Sequence, residues 1–303
     1  MSKRWAIVFV FLLTPILTEL LTSNTPLNHF LNPLVLFSLV ITYGLPLLVI
    51  REFAIRWKLG LGGILLLGIA YGILNEGVIA GTLVHATNLP IGSFENYIRI
   101  GGINVGWATY ILFWHALHSV LFPLLLVEFF RNDWDSWLGD RAFKFSVWFL
   151  LLGSLFVVII VKSGTVLFLA LLMIALVFLA KRFHRQRLAS PQTGGVGIVF
   201  MGFFSIVYAI TLFVSAQHKV SPVIFLLIAI AVPYLVFKYL AKKGFLSHRG
   251  LLLFGLGSYI AYACFAMLLG SPTIILTNIV LVILLAWMAS KVIKNLTSSS
   301  LQI

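Results

Sequence analysis

Apolar residues come in long runs separated by short polar gaps, and most of these runs approach the roughly 20 residues that an α-helix needs to cross a bilayer. Ten such runs lie near residues 4–21, 33–50, 60–83, 106–130, 145–161, 164–180, 195–215, 221–240, 250–269 and 272–291. The pattern predicts an all-α, polytopic transmembrane helix bundle of about ten spans. The first run follows a basic start but no A-x-A-like site comes before "TSNTPLNHF", so it reads as a retained span and not a cleaved leader. Among the gaps, residues 84–105 form the longest, where Glu95 and Arg99 at i,i+4 could pair on a short surface helix, serving as a lid or only as a connection. "RNDWDSWLGDRAFK" suits a short interfacial helix, and "KRFHRQRLASPQTGG" suits a linker.

Composition turns this pattern into a membrane assignment. Of 303 residues, 61% are hydrophobic and 10% charged, too little charge to cover a soluble domain. The net charge of +13 could suggest a nucleic-acid partner, but the basic residues sit in the short gaps between apolar runs. With the N-terminus inside, eighteen Lys and Arg fall in inner segments, and only Arg99, Lys162 and Lys219 fall in outer ones. That bias predicts a multi-pass protein of the cell membrane with both termini cytoplasmic, anionic headgroups at the basic face and no nucleic-acid partner. Trp5, Trp57, Trp134, Trp137, Trp148 and Trp287 fall near inner ends and Trp107 near an outer one, as interfacial anchors would; Trp114 lies inside the fourth span. The single cysteine, Cys264, offers neither an intrachain disulfide nor a cysteine metal site.

The acidic residues divide the chain. All eight lie at or before Asp140, so residues 1–144, with four spans, carry the candidate chemistry, and 145–303 form a six-span apolar region with basic loops. Measured from the inner basic residues at 1.5 Å per residue, Glu19, Glu76, His115 and His118 all rise about 20–27 Å, into one layer of the outer half. His115 and His118 in "FWHALHSV" are spaced i,i+3 and can share a helix face. With Glu76 they could bind a metal such as zinc or relay protons; they could also be neutral rings hydrogen-bonded between helices. Glu19 could reach the outer interface instead, and Asn75 accompanies Glu76. Glu128, close to Arg131, reads as interfacial, and Glu52–Arg56 as an i,i+4 surface pair. Pro15, Pro46, Pro123 and Pro233 each free a backbone carbonyl inside a span. There is no phosphate loop with lysine, no H-E-x-x-H and no G-x-S-x-G; glycine-rich "GGVGIVFMG" fits helix packing.

The stretches "TPILTELLTSNTPLNHFLNP", "YGLPLLVIRE", "AYGILNEGVIAGTL" and "NVGWATYILFWHALHSVLFPLLLVE" resemble an uncharacterised family of prokaryotic multi-pass membrane proteins. In that group an acidic pair often stands where this chain has Asn75 and Glu76, and a histidine followed by an apolar helix ending in Glu stands where it has His115 and Glu128. A more distant resemblance is to intramembrane metalloproteases of the CAAX-protease and bacteriocin-processing type. Here "NEGVIAG" supplies one Glu of their Glu-Glu-x-x-x-Arg motif, and "WHALH" supplies Trp114 four residues before His118. The leading expectation is a transporter or permease-like protein in which Glu76, His115 and His118 bind a small-molecule or peptide substrate or relay protons, with Glu19 as a gate or partner. The alternatives are a metal-binding relative of the intramembrane proteases, with Glu76 as base and the histidines as ligands, and a non-catalytic assembly subunit.

Overall fold

The computed structural model describes residues 2–85, 92–131, 135–184 and 195–299. Trp134, Arg185, Arg187 and most of the expected linker lie outside these residues. The described chain is mostly helical, with short connections, one two-stranded hairpin and an isolated bridge between Leu59 and His184, as the all-α pattern predicts.

Helix α1 covers residues 3–20 and short α2 Leu27–Phe30. They are followed by α3 (Pro33–Arg56), α4 (Leu61–Ile79), α5 (Val105–Arg131), α6 (Asp140–Val161), α7 (Gly164–Ala180), α8 (Val196–Gln217), α9 (Pro222–Lys242), α10 (His248–Leu269) and α11 (Pro272–Ser299). Eight of these are long and apolar enough to cross a membrane; α1 and the shorter α7 stand where two further spans are expected. Side-chain caps start several of them. Asn32 accepts from Leu34 N–H ahead of α3, Asn104 from Trp107 N–H in α5, and Ser247 from Gly250 N–H in α10.

Helix α5 is the hub. It packs against α1, α3, α4, α8, α9 and α10 and is buried along most of its length. Helix α6, in contrast, buries only Ser146 and Ser154 and turns Phe145, Trp148, Phe149, Leu152 and Phe156 outward. An apolar outer face of this kind is stable only against hydrocarbon.

Glycines set the closest crossings. A Cβ on Gly68 of α4 would lie 2.6 Å from Ala116 Cα of α5, and one on Gly44 of α3 would lie 2.7 Å from Phe11 Cα of α1. A Cβ on Gly257 of α10 would meet the Val199 carbonyl of α8 at 1.9 Å. Small residues let helix backbones touch where lipid supplies no hydrophobic drive for association. Gly202, at the end of "GGVGIVFMG", joins the last crossing, in line with a packing role for that stretch.

The connections gather at two ends. At one, Lys3 Nζ donates to the Ser136 carbonyl, and Gly60 N–H to the Phe183 carbonyl. At the other, the Tyr97 hydroxyl donates to the Val220 carbonyl and Asn278 Nδ2 to Ser23 Oγ. The first end holds Lys3, Arg51, Arg56 and Lys181, and the second holds Arg99, Lys162 and Lys219, the same sorting as the charge bias.

The gaps depart most from expectation. Residues 135–139 are irregular and α6 begins at Asp140, so the described part of "RNDWDSWLGDRAFK" makes no separate interfacial helix. Arg99 does not pair with Glu95. It lies in strand β1 (Arg99–Ile100), paired antiparallel with β2 (Ile103–Asn104), and donates to the carbonyls of Val84 and Gly102. The two-residue turn between the strands is Gly101-Gly102, both with positive φ, the conformation of a type I′ hairpin that glycine adopts without strain.

Candidate intramembrane site

The polar cluster grows from four places where the helices widen. Ile16–Leu20 of α1, Val40–Gly44 of α3, Ile73–Ile79 of α4 and His115–Leu121 of α5 are π-helical. Such turns occur in single stretches and often mark functional sites. Each holds polar members of the layer: Glu19, Tyr43, Asn75 with Glu76, and His115 with His118.

Glu76 and His115 meet directly, with Glu76 Oε1 2.9 Å from His115 Nε2. His115 Nδ1 lies 2.8 Å from Ser119 Oγ, so both ring nitrogens are engaged. Glu76 Oε2 accepts from the Thr82 hydroxyl, whose oxygen in turn accepts from the Trp107 indole N–H at 3.1 Å. The chain after α4 turns back over the carboxylate, with Leu83 N–H donating to the Glu76 carbonyl. Both partners are buried, His115 at 1% exposure and Glu76 at 9%. The close α4–α5 crossing at Gly68, continued at Gly72 against Leu112, is what brings the two side chains into register.

Glu19 joins from α1. One carboxylate oxygen accepts from the Tyr43 hydroxyl and the other from Thr25 at 2.7 Å. The Tyr43 and Tyr71 rings lie 6.3 and 5.4 Å from the His115 ring, centroid to centroid, and close the space between the carboxylates. Glu19 is half-buried and within coulombic range of both His115 and Glu76. Asn75 is buried beside them, and among the described residues its side chain makes no hydrogen bond. The cluster thus holds two carboxylates, one imidazole and two phenols, and among the described residues no Lys or Arg side chain is bonded to either carboxylate.

His118 turns elsewhere. Three residues along an α-helix leave two side chains about 60° apart, and the wider π turn opens that angle. His118 therefore leaves His115 and reaches α10, where Nε2 is 2.6 Å from Ser258 Oγ. Trp114 stacks on it at 5.1 Å and 17°. The expected pairing of both histidines with Glu76 around one ion is not formed, and among the described residues no three His, Cys, Asp or Glu side chains are grouped to hold a metal.

At the basic end a second cluster departs from the surface pairs read from spacing. Glu128 is buried rather than interfacial, and accepts from Arg51 Nε at 2.6 Å. Arg51 and Glu52 are both wholly buried. The Glu52–Arg56 pair does form, at 3.1 Å, but Glu52 also accepts the N–H groups of Trp137 and Leu138 and the Ser136 hydroxyl. The Arg51 guanidinium lies 3.4 Å over the Trp137 ring, so Trp137 is a buried platform and no interfacial anchor. Trp107 is buried as well, while Trp5, Trp148 and Trp287 are exposed as anchors should be. The missed signal was length: α3 runs to Arg56, six residues past the apolar run, so Arg51 and Glu52 lie within the packed helix and not at its exposed end. This cluster ties the residues between α5 and α6 to α3, and its cations are all matched by carboxylates or carbonyls.

Comparison with curated proteins and with solved structures finds no match to either. A family profile does match, over residues 8–302, nearly the whole chain, and with it the apolar outer faces and membrane-length helices agree: the chain belongs to an uncharacterised family of membrane proteins.

Proposed function

We propose that this protein is a permease-like transporter of ten spans, with both termini at the basic, cytoplasmic face, in which the Glu76–His115 pair couples protonation to movement of a small-molecule substrate. The observation that carries the reading is the pair itself: a carboxylate and an imidazole 2.9 Å apart, buried, inside two facing π-helical segments. Ionisable groups in membrane spans face bundle interiors and mark ion or substrate paths because leaving them unpaired in hydrocarbon is costly. With one proton the pair is neutral overall, whichever partner holds it; a second proton makes it cationic, and loss of the first leaves it anionic. A substrate that favours one of these states is thereby linked to proton binding. Glu19, held by Tyr43 and Thr25, supplies a second carboxylate on the half-buried side of the cluster, where protons enter. The lack of a bonded basic side chain favours cationic or neutral polar substrates over anions.

Proteoliposomes loaded with a pH-sensitive dye test this. Under an imposed membrane potential the protein should carry protons well above the protein-free rate, and Glu76→Gln should remove about nine-tenths of that flux, the loss expected when a relay group is blocked. Its thermal unfolding should stay close to that of the parent. Equal flux in the parent and Glu76→Gln would eliminate the pair from any transport mechanism.

A further inference from the structure

The two nitrogens of the His115 ring have partners of different kinds. Nε2 lies 2.9 Å from Glu76 Oε1, an oxygen that can only accept while the carboxylate is ionised. Nδ1 lies 2.8 Å from Ser119 Oγ, which can donate or accept. His115 and Ser119 are each 1% exposed. Other hydroxyls in the spans take the ordinary course for Ser and Thr in a helix and donate to the carbonyl four residues back, as those of Thr14, Thr18, Thr42 and Ser154 do. Ser119 departs from this, and among the described residues its hydroxyl is bonded to the ring alone.

The other groups around the ring are committed elsewhere. They are Glu76 and Tyr71 of α4, Tyr43 of α3, Glu19 of α1, and Trp114 and His118 of α5 itself. The Tyr71 hydroxyl donates to the Thr42 carbonyl, the Tyr43 hydroxyl to Glu19, and His118 Nε2 is bonded to Ser258. Ser119 is therefore the group that meets Nδ1.

Proton counting then fixes the tautomer. A bare Nε2 facing an ionised carboxylate would set two acceptors against each other at 2.9 Å, so a proton lies between them in every stable state. In the anionic pair that proton is the ring's own, Nδ1 is bare, and the Ser119 hydroxyl donates to it. The neutral pair, with one more proton, has two forms: imidazolium beside carboxylate, or imidazole beside carboxylic acid. In both of them Nδ1 carries a proton and Ser119 accepts it.

We infer that Nδ1 is the atom at which the pair takes up and releases its first proton, and that Ser119 is the positioning residue whose hydroxyl reverses at each such event. One proton is gained or lost, the charge of the pair changes by one, and no covalent bond of Ser119 breaks, because its O–H only turns about Cβ–Oγ. The ring keeps its place, with Nε2 on Glu76 in both states. The tautomer follows from the geometry of the pair, and its consequence for flux rests on the proton-coupled reading above.

Nitrogen-15 NMR of the full chain, labelled in histidine and reconstituted in bilayers, reads the protonation of each ring nitrogen, with His115 identified by the signals lost in His115→Asn. In alkaline buffer Nδ1 should be bare and Nε2 protonated, and on acidification Nδ1 should become protonated. The opposite tautomer in alkaline buffer, or first uptake at Nε2, overturns the proposal. In proteoliposomes Ser119→Ala should slow proton flux about tenfold, the value of one hydrogen bond, and Ser119→Thr, which restores a hydroxyl, should recover most of it. Full flux in Ser119→Ala, or equal loss in both variants, overturns the role given to Ser119. The expected tautomer in a parent that carries no protons would remove the transport reading and leave the Nδ1 assignment standing.

Discussion

Three tyrosines repair what three prolines break. In α3, Leu45 N–H bonds the Val40 carbonyl across the π turn and Pro46 has no N–H to continue the ladder; the Thr42 carbonyl, where the π turn passes back into α-helix, accepts the Tyr71 hydroxyl at 2.9 Å. In α5, Phe122 N–H bonds the Leu117 carbonyl across the π turn, so the next carbonyl in that register, His118, would need Pro123; it accepts the Tyr259 hydroxyl instead. In α9, Pro233 frees the Ala229 carbonyl, which accepts from Tyr208 at 2.8 Å. Each repair comes from a different helix, so it also fixes how two helices sit together. Tyr71→Phe, Tyr259→Phe and Tyr208→Phe should each cost roughly 0.6–1.7 kcal/mol in reversible unfolding from mixed micelles. In the matching Pro46→Ala, Pro123→Ala or Pro233→Ala background the helix regains its own N–H donor, and the same Tyr→Phe change should cost close to nothing. An equal cost in both backgrounds would show that the hydroxyl matters for some other reason. The prolines stand out in the sequence, but their partners do not, because nothing along the chain says which helix lies beside which.

At the scale of elements the cluster depends on π turns and on glycine crossings together. The heights of Glu19, Glu76, His115 and His118 could be read from charge and rise per residue, since both are properties of single helices. Their lateral directions could not. Spacing placed His115 and His118 on one face; the π turn separates them and assigns one to α4 and the other to α10. Glu52 and Glu128 were misjudged for a related reason, because a charge near the end of an apolar run looks exposed until the neighbouring helices and the 135–139 segment are known to cover it. The crossing at Gly68 offers a direct check that α4–α5 contact carries the site. Gly68→Val would force side-chain atoms into the Ala116 backbone, 2.6 Å from the first of them, and the helices must separate. Proton flux should fall as far as in Glu76→Gln although both site residues are unchanged, while Gly153→Val, on α6 with nothing within 4 Å, should retain it. Full flux in Gly68→Val would mean that the 2.9 Å pair is not required.

For the whole molecule, the strongest constraint is the agreement between charge and connection. Each loop contact described above joins segments that the charge bias assigns to the same side: Lys3 to Ser136 and Gly60 to Phe183 on the basic side, Tyr97 to Val220 and Ser23 to Asn278 on the other. The exposed lysines of α9 and α11 also lie beside their own aromatic rings, Lys238 with Tyr234 and Lys291 with Trp287, as at a membrane interface. Cysteine labelling in intact cells tests the arrangement. In a Cys264→Ser background, Lys162→Cys and Lys219→Cys should react with a membrane-impermeant maleimide added outside. Lys181→Cys, Lys242→Cys and Lys294→Cys should react only after the membrane is permeabilised. Labelling of Lys294→Cys from outside with Lys181→Cys protected would place an odd number of crossings between the two positions, and the ten-span proposal would fall while the helical bundle stood.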